Sequence, residues 1–152
     1  MDPTKEFHHN LGHWIKRVDH AITLRINDLL RPYGLARSQW EVLFRIAAAD
    51  GVTQKALQSA MNVESGTLTG IVDALLKKGW LIRTAHHDDR RINVLRMTAE
   101  GARRWREIPN PITQLRPQMM QGISPEDEAW AIKLLQQAVC NLDETPHEED
   151  GS

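Results

Sequence analysis

Residues 63–80 read VESGTLTGIVDALLKKGW, a run that predicts an amphipathic helix beginning near Glu64. Its apolar side chains recur every three or four residues, which is the spacing of one helix face. Those side chains are Leu68, Ile71, Val72, Leu75 and Leu76. The other face carries glycine, threonine and short polar residues. One side of this helix is therefore expected to pack on a core, while the other side faces outward.

A second short helix is predicted just before this one. Thr53 can cap its first turn, and the helix is expected to run to about Met61. Because only a brief joint separates the two helices, the pair has the pattern of a helix-turn-helix. A further helix is predicted upstream and opens at Ser38, because Ser38 and Glu41 have the spacing of a capping box.

The first segment, residues 7–30, is predicted to be a long amphipathic helix. It ends at Arg31-Pro32-Tyr33-Gly34, where proline and glycine together stop a helix. Its apolar stripe consists of Leu11, Trp14, Ile15, Val18, Ile22, Ile26 and Leu29.

The pattern changes after Gly79 from helical spacing to strands. Residues 80–84 and 92–97 are rich in β-forming side chains, and they enclose the polar run HHDDRR, residues 86–91. This arrangement predicts a hairpin with a charged tip. Thr98 is then expected to cap the next helix.

The C-terminal part is predicted to be helical with interruptions. Residues 108–111, Ile-Pro-Asn-Pro, and then Pro117 are each expected to interrupt it, because proline lacks the amide hydrogen that a helix interior needs. A last helix is expected from its cap, Ser124, to about Leu142. Residues 145–152 form an acidic tail that is expected to be disordered.

Charge is distributed unevenly along the chain. The 152 residues include 19 Lys and Arg against 20 Asp and Glu, a net charge of −1, and this total alone argues against a nucleic-acid partner. Residues 77–106, however, carry nine cations and three carboxylates, a net of +6, whereas residues 108–152 carry −6. The basic centre indicates an anionic partner, and a solvated charged face is the simpler alternative.

The composition is globular, with 41% hydrophobic and 26% charged residues, and it excludes collagen, a coiled-coil rod and a wholly disordered chain. Cys140 is the only cysteine, so no internal disulfide can form and a reducing compartment is expected. Residues 1–6 lack the apolar core of a signal peptide, and no apolar run is long enough to cross a membrane. We therefore expect a cytoplasmic protein with no membrane partner.

The motifs together resemble the multiple-antibiotic-resistance regulator (MarR) family. The resemblance rests on the helix run of residues 63–75, on Lys-Gly-Trp at 78–80, on Asp-Asp-Arg-Arg at 88–91, and on LRMTAEG at 95–101. Each motif alone is a weak signal, but their joint spacing is specific, and it covers about residues 11–101.

This resemblance implies a mainly α fold with a small β-hairpin, a winged helix-turn-helix with N- and C-terminal dimerisation helices. It implies a homodimeric transcription regulator that binds double-stranded DNA at a pseudo-palindromic operator. Repression of the regulated genes is favoured over activation. It also implies release of the DNA by a small aromatic or phenolic effector, or by an oxidant. No cofactor is predicted.

The resemblance divides the chain into four parts. Residues 1–36 form an N-terminal dimerisation helix, residues 37–101 the winged DNA-binding domain, and residues 102–144 the C-terminal dimerisation helices, followed by the tail of residues 145–152. The interruptions at Pro109, Pro111 and Pro117 depart from relatives that run one long helix into the dimer interface.

The outward face of the helix at residues 64–77 is suited to close approach rather than to bidentate base recognition. Threonine can touch thymine methyl groups and base edges, and glycine lets the backbone approach, but arginine and asparagine are absent from this face. DNA shape is therefore expected to contribute much of the specificity. The predicted DNA-binding residues are Thr53, Gln54, Lys55, Ser65, Gly66, Thr67, Thr69, Gly70, Lys77, Asp89, Arg90 and Arg91.

The family resemblance assigns minor-groove insertion to Arg91, the arginine of the D-x-R motif, with Asp89 holding it in position. Arg90 and Lys77 are expected to meet phosphates, as are the amides at the helix start near Thr53. The simpler alternatives are a polar hairpin tip and ordinary helix capping.

Trp14, Arg17 and Trp40 lie where relatives form a ligand pocket, and they are the predicted ligand-binding residues. The alternatives are core packing for the tryptophans and a solvated or dimer-bridging role for the arginine. A metal site is not predicted, because His13 and His20 would lie about 10 Å apart along their helix. His9 and His13 could hold one edge of a metal, but a polar helix face is favoured.

Cys140 is expected to be a buried structural thiol. The sequence contains no nucleophile elbow, no glycine-rich phosphate loop and no paired carboxylates placed for catalysis, so an enzyme is not predicted. The alternatives to a DNA-binding repressor are a winged-helix protein-interaction module without DNA binding, and a redox- or metal-responsive regulator.

Overall fold

The structure is a computed structural model that describes residues 10–143. The predicted helix start at Phe7, the metal alternative at His9 and the acidic tail of residues 145–152 lie outside the described residues. Two compact units are present, a larger one that ends at Leu115 and a smaller one that begins at Arg116.

Helices dominate the described chain, with one small antiparallel sheet, as the sequence predicts. In order, the elements are α1 (Leu11–Leu30), a 3-10 turn (Arg31–Tyr33), α2 (Arg37–Ala49), β1 (Val52–Thr53), α3 (Gln54–Met61), α4 (Ser65–Lys77), β2 (Leu81–Ala85), β3 (Asn93–Met97), α5 (Ala99–Trp105), α6 (Pro111–Met119) and α7 (Pro125–Asp143).

The sheet has three strands in the order β1-β3-β2, all antiparallel. The hairpin pairs Leu81 with Met97 and Ala85 with Asn93, close to the predicted strand bounds. β1 was not predicted, because two residues are too short to show strand periodicity. Its pairing of Val52 with Leu95 joins the wing to the segment just before the helix-turn-helix.

The core of the larger unit lies between α2, α3, α4 and the sheet. The predicted stripe of α4 forms its centre, since Leu68, Val72 and Leu75 are fully buried. Other members are Ile26, Leu30, Leu35, Trp40, Val42, Leu43, Ile46, Leu57, Trp80, Leu81, Leu95 and Leu115. Each fully buried aliphatic side chain of this kind stabilises the fold by roughly 1.5–3 kcal/mol.

The predicted capping box at Ser38 and Glu41 is wrong. α2 begins at Arg37, one residue earlier, and Ala36 occupies the cap position. The Gln39 side chain accepts a hydrogen bond from the Ala36 amide at 3.1 Å. Asn27 of α1 accepts from the Arg37 amide at 2.7 Å, so a tertiary contact satisfies the helix start and a local cap is not needed.

The predicted helix break at Pro117 is also wrong, although the break before Pro111 is confirmed. α6 begins at Pro111, where the missing amide hydrogen costs nothing. Pro117 lies inside α6, which ends two residues later at Met119. Only one intrahelical hydrogen bond is lost near the helix end, and Met120 still donates to the Arg116 carbonyl at 2.9 Å.

The smaller unit contains α7, which Ser124 caps as predicted by accepting from the Asp127 amide at 3.1 Å. Arg116 forms two hydrogen bonds with Glu128, at 2.7 and 2.8 Å, and they hold the pKa of Glu128 below its usual range.

Cys140 is exposed, so its predicted burial is wrong; the reason is that α7 has no buried residue. Within residues 10–143, no helix is long and apolar enough to cross a membrane.

The junction of β3 and α5 is tightly packed against Trp80. Thr98 caps α5, as predicted, by accepting from the Gly101 amide at 2.8 Å, and its hydroxyl donates to the Gly79 carbonyl at 2.7 Å. The Arg104 guanidinium lies 3.8 Å from the centroid of the Trp80 ring. A β-carbon at Gly101 would overlap the backbone carbonyl oxygen of Trp80.

We predict that Gly101→Ala lowers the free energy of unfolding by about 1–3 kcal/mol, because the new methyl group meets backbone that cannot move aside. Gly70→Ala is the matched control, since nothing lies within 4 Å of a β-carbon there. The control should gain up to about 1 kcal/mol from helix propensity. Denaturant unfolding measures both variants, and a wild-type midpoint for Gly101→Ala would contradict the packing described.

Candidate nucleic-acid interface

The outward side of α4 is a continuous surface of small residues. The inward side chains Leu68, Val72 and Leu75 pack on the core and leave the opposite side in contact with solvent. The exposed residues of that side are Ser65, Gly66, Thr67, Thr69, Gly70, Asp73 and Lys77. Because glycine and threonine project little, a flat partner can approach the α4 backbone closely along this side.

The start of α3 lies beside this surface. Thr53 caps the helix by accepting from the Ala56 amide at 3.1 Å, as the sequence predicts. Gln54 is half-buried and Lys55 is exposed. A capped helix N-terminus with a neighbouring lysine attracts anions, since its first amides have no partner within the helix.

Hydrogen bonds join the start of α3 to α4. The Gln54 side-chain amide donates to the Thr69 hydroxyl at 3.1 Å, and that hydroxyl donates to the Ser65 carbonyl at 2.9 Å. Two predicted DNA-binding residues from different helices are therefore held together.

Arg83 of β2 also belongs to this surface, and sequence reasoning missed it. Its guanidinium donates to the side-chain oxygen of Gln54, Oε1, at 3.1 Å and lies 3.8 Å from a carboxylate oxygen of Asp73. The separation from Gln54 is 29 residues, and only the fold of the hairpin brings the two together. The one signal in the sequence was the position of Arg83, a long cationic side chain on the strand that follows the helix-turn-helix.

The hairpin tip presents Arg91 to solvent on an ordered turn. Asp89 accepts from the Arg91 amide at 3.0 Å and from its Nε at 3.3 Å. The Ile92 amide donates to the Asp89 carbonyl at 3.1 Å, which closes the turn. The Arg91 side chain is 93% exposed, so the guanidinium is oriented by Asp89 while remaining available to a partner.

The same hairpin carries two stacked histidines. The ring centroids of His86 and His87 are 5.0 Å apart with nearly parallel planes. His86 Nδ1 accepts from the Asp88 amide at 3.2 Å, so the histidines help to order the residues that lead into the tip.

The cations of residues 77–106 do not all lie on the same surface. Arg103 pairs with Glu100 on α5 and with Glu107 just after it, and the hydrogen bond to Glu100 holds the pKa of Glu100 below its usual range. Arg96 pairs with Asp50. The cations that are exposed at the α4 surface and the hairpin tip include Lys55, Lys77, Arg83, Arg90 and Arg91.

The three predicted ligand-binding residues occupy different surroundings. Trp40 is buried in the core and stacks on Phe44 at a centroid distance of 5.2 Å, with Trp105 at 6.0 Å. Trp14 is half-exposed on α1, and the Arg17 guanidinium lies 5.3 Å from its ring centroid. Among residues 10–143, no group of three or more His, Cys, Asp or Glu is arranged to hold a metal.

Comparison with known proteins gives matches over this whole region. A family model described as the MarR family matches residues 35–92. The chain is 29% identical over 119 residues to the HTH-type transcriptional regulator YwoH of Bacillus subtilis, covering 78% of this chain and 86% of that protein. It is 33% identical over 92 residues to the multiple antibiotic resistance protein MarR of Salmonella typhimurium, covering 60% of this chain and 64% of MarR.

Solved structures match nearly the full chain. A cysteine-to-serine mutant of MarR from E. coli, complexed with operator DNA, superposes with a TM-score of 0.80 at 25% identity, covering 91% of this chain and 99% of that one. The S. aureus MepR complex with DNA gives a TM-score of 0.77 at 17% identity, covering 88% and 96%. The second match supports the winged-helix fold alone.

Proposed function

The chain belongs to the MarR family of helix-turn-helix transcription regulators, and from this membership we propose that it acts as a homodimeric repressor at a pseudo-palindromic operator. The observation that carries the proposal is the pairing of a small-residue face on α4 with an oriented, exposed Arg91 on the adjacent hairpin. The protein is a DNA-binding regulator and not an enzyme.

In the proposed complex, α4 lies in the major groove. Thr67, Thr69 and the α4 glycines approach base edges and thymine methyl groups, and Ser65 lies at the helix start. Because this face carries no arginine or asparagine, bidentate base contacts are missing. Direct contacts therefore supply modest specificity, and the sequence-dependent shape of the DNA supplies a larger part.

The hairpin and the start of α3 contact the flanking DNA. Arg91, oriented by Asp89, inserts into the minor groove, where a narrow groove has an enhanced negative potential. Arg90 and Lys77 neutralise phosphates. Thr53, Gln54 and Lys55 form a further phosphate contact at the N-terminus of α3.

Dimerisation is proposed for the helices at the two ends of the chain, within residues 1–36 and 102–144. α1 exposes Leu11, Trp14, Ile15 and Val18 in the single chain. α7 exposes Trp130, Ile132, Leu134, Leu135, Val139 and Leu142. Exposed apolar surface of this extent marks an interaction site. A twofold homodimer requires two inverted half-sites, about one helical turn or a multiple of it apart.

Selection of bound sequences from a random duplex pool tests the proposal directly. The full-length protein should enrich a sequence with two inverted halves, and placing that sequence across a promoter should lower transcription in vitro. Enrichment of nothing, together with no binding to random duplex at low salt, would instead favour a winged-helix protein-interaction module.

We predict that Arg91→Ala weakens binding to the selected operator by about 1–3 kcal/mol without changing the thermal unfolding midpoint. Arg103→Ala is the matched control, because it also removes one positive charge but from a residue paired with two glutamates. Titrations at matched salt compare the two variants. Wild-type operator affinity for Arg91→Ala would show that the wing is assigned wrongly.

We predict that Leu135→Glu shifts the protein from dimer to monomer in sedimentation velocity, because a charge would be buried in the proposed interface. Gln136→Glu adds the same charge at the next residue of α7 and should remain dimeric. A wild-type dimer for Leu135→Glu, or a wild-type chain that is monomeric at micromolar concentration, would contradict the proposed assembly.

A small aromatic acid is the proposed effector, and Trp14 with Arg17 supplies a ring and a cation for it. A benzoate-type acid should raise the thermal unfolding midpoint and release operator DNA, and Arg17→Gln should abolish the rise. Binding of the ligand to the folded state alone predicts this stabilisation. If no acid of a panel shifts the midpoint while operator binding is intact, the proposed effector class is wrong.

A further inference from the structure

Arg83 connects three elements that meet at the proposed DNA surface. It extends from β2, donates to Gln54 at the start of α3, and lies within ion-pair distance of Asp73 on α4. Gln54 in turn donates to Thr69 on α4. One wing-strand residue therefore contacts both helices of the helix-turn-helix, directly or through a single side chain.

The hydrogen bonds of this cluster determine the orientation of each member. The Gln54 amide uses its oxygen for Arg83 and its nitrogen for Thr69. The Thr69 hydroxyl donates its only hydrogen to the Ser65 carbonyl and accepts from Gln54. Thr69 is therefore presented to a partner in one rotamer, through its methyl group and one remaining lone pair.

Charge gives Arg83 a second effect on the same surface. The Asp73 side chain is 61% exposed on the outward side of α4, where a carboxylate would repel approaching phosphates. The guanidinium of Arg83 lies 3.8 Å from that carboxylate and offsets its charge. Without Arg83, the α4 surface would carry an uncompensated negative charge.

The side chain of Arg83 is less exposed than that of Arg91, which is proposed to touch DNA. Its side chain is 39% exposed, compared with 93% for Arg91, and its guanidinium has two protein partners. We propose that Arg83 is a positioning residue for operator recognition, which orients Gln54 and Thr69 and screens Asp73 rather than binding phosphate. This inference rests on the proposed function.

The decisive variants are Arg83→Lys and Arg83→Gln. Lysine keeps the charge, but its side chain is one atom shorter, so its ammonium should not reach the position from which Arg83 Nη2 contacts both Gln54 and Asp73. If Arg83 positions the surface, Arg83→Lys should lower the ratio of operator to random-duplex affinity by about tenfold, which is the effect of about 1.4 kcal/mol. Arg83→Gln should lower this ratio at least as much, because it also leaves the Asp73 charge uncompensated. Arg103→Lys is the matched control and should keep the wild-type ratio.

The salt dependence of binding distinguishes positioning from direct phosphate contact. Loss of a phosphate contact lowers the slope of log affinity against log salt by about one unit, and Lys77→Ala provides that reference. Arg83→Gln should keep the wild-type slope. A slope lowered by about one unit in Arg83→Gln, with wild-type binding restored by Arg83→Lys, would overturn the inference.

A double-mutant cycle tests whether Arg83 acts through Gln54. In the Gln54→Ala background, Arg83→Lys should change the affinity ratio much less than it does in the wild type, because the connecting side chain is absent. Full additivity of the two effects would overturn the role assigned to Gln54.

A readout without DNA separates this inference from the proposed function. The side-chain amide signals of Gln54 in the NMR spectrum of the free protein should shift in Arg83→Lys and stay unchanged in Arg103→Lys. A wild-type protein that selects no operator overturns both proposals. A wild-type protein that selects an operator, with an unchanged affinity ratio for Arg83→Lys, overturns this inference alone.

Discussion

The burial of Leu68, Val72 and Leu75 determines how α4 is oriented on the core. All three are fully buried on one side of α4, and each contributes roughly 1.5–3 kcal/mol. Rotation of α4 about its axis would expose them, so the helix has one orientation. The side with glycines and threonines must then face outward. The chemistry of the proposed DNA surface is thus a consequence of hydrophobic packing on the other side of the same helix.

Contacts with the same core also fix the position of the wing. Trp80 is buried directly before β2, and Thr98 hydrogen-bonds back to the Gly79 carbonyl at the end of β3. The hairpin is therefore attached to the core at both of its ends, while β1 pairs with β3 at the sheet edge. Arg83 lies on this anchored part, and Arg91 lies at the exposed tip. The proposed roles follow this difference, since an anchored side chain can orient neighbours and an exposed one can reach a groove.

Much of the fold could be predicted from sequence because its signals are local. Thr53 and the apolar spacing of α4 each depend on residues within one or two turns, and the structure confirms both. Two features were not predicted because distant residues determine them. A contact from α1 satisfies the start of α2 in place of a Ser38 cap, and Arg83 reaches its partners only through the fold of the hairpin. The break predicted at Pro117 failed for a local reason, since α6 ends two residues later. The DNA-contact and ligand roles of the predicted residues stay predictions.

The outward side of α4 and the hairpin tip are proposed to contact DNA together. Titration of the isotope-labelled protein with its selected operator, with each backbone amide followed by NMR, measures this contact residue by residue. We expect the largest changes in residues 53–55, along the exposed side of α4 and at residues 89–91, with smaller changes on α5. Changes concentrated on α5, or none in α4 and the hairpin at saturating operator, would contradict it.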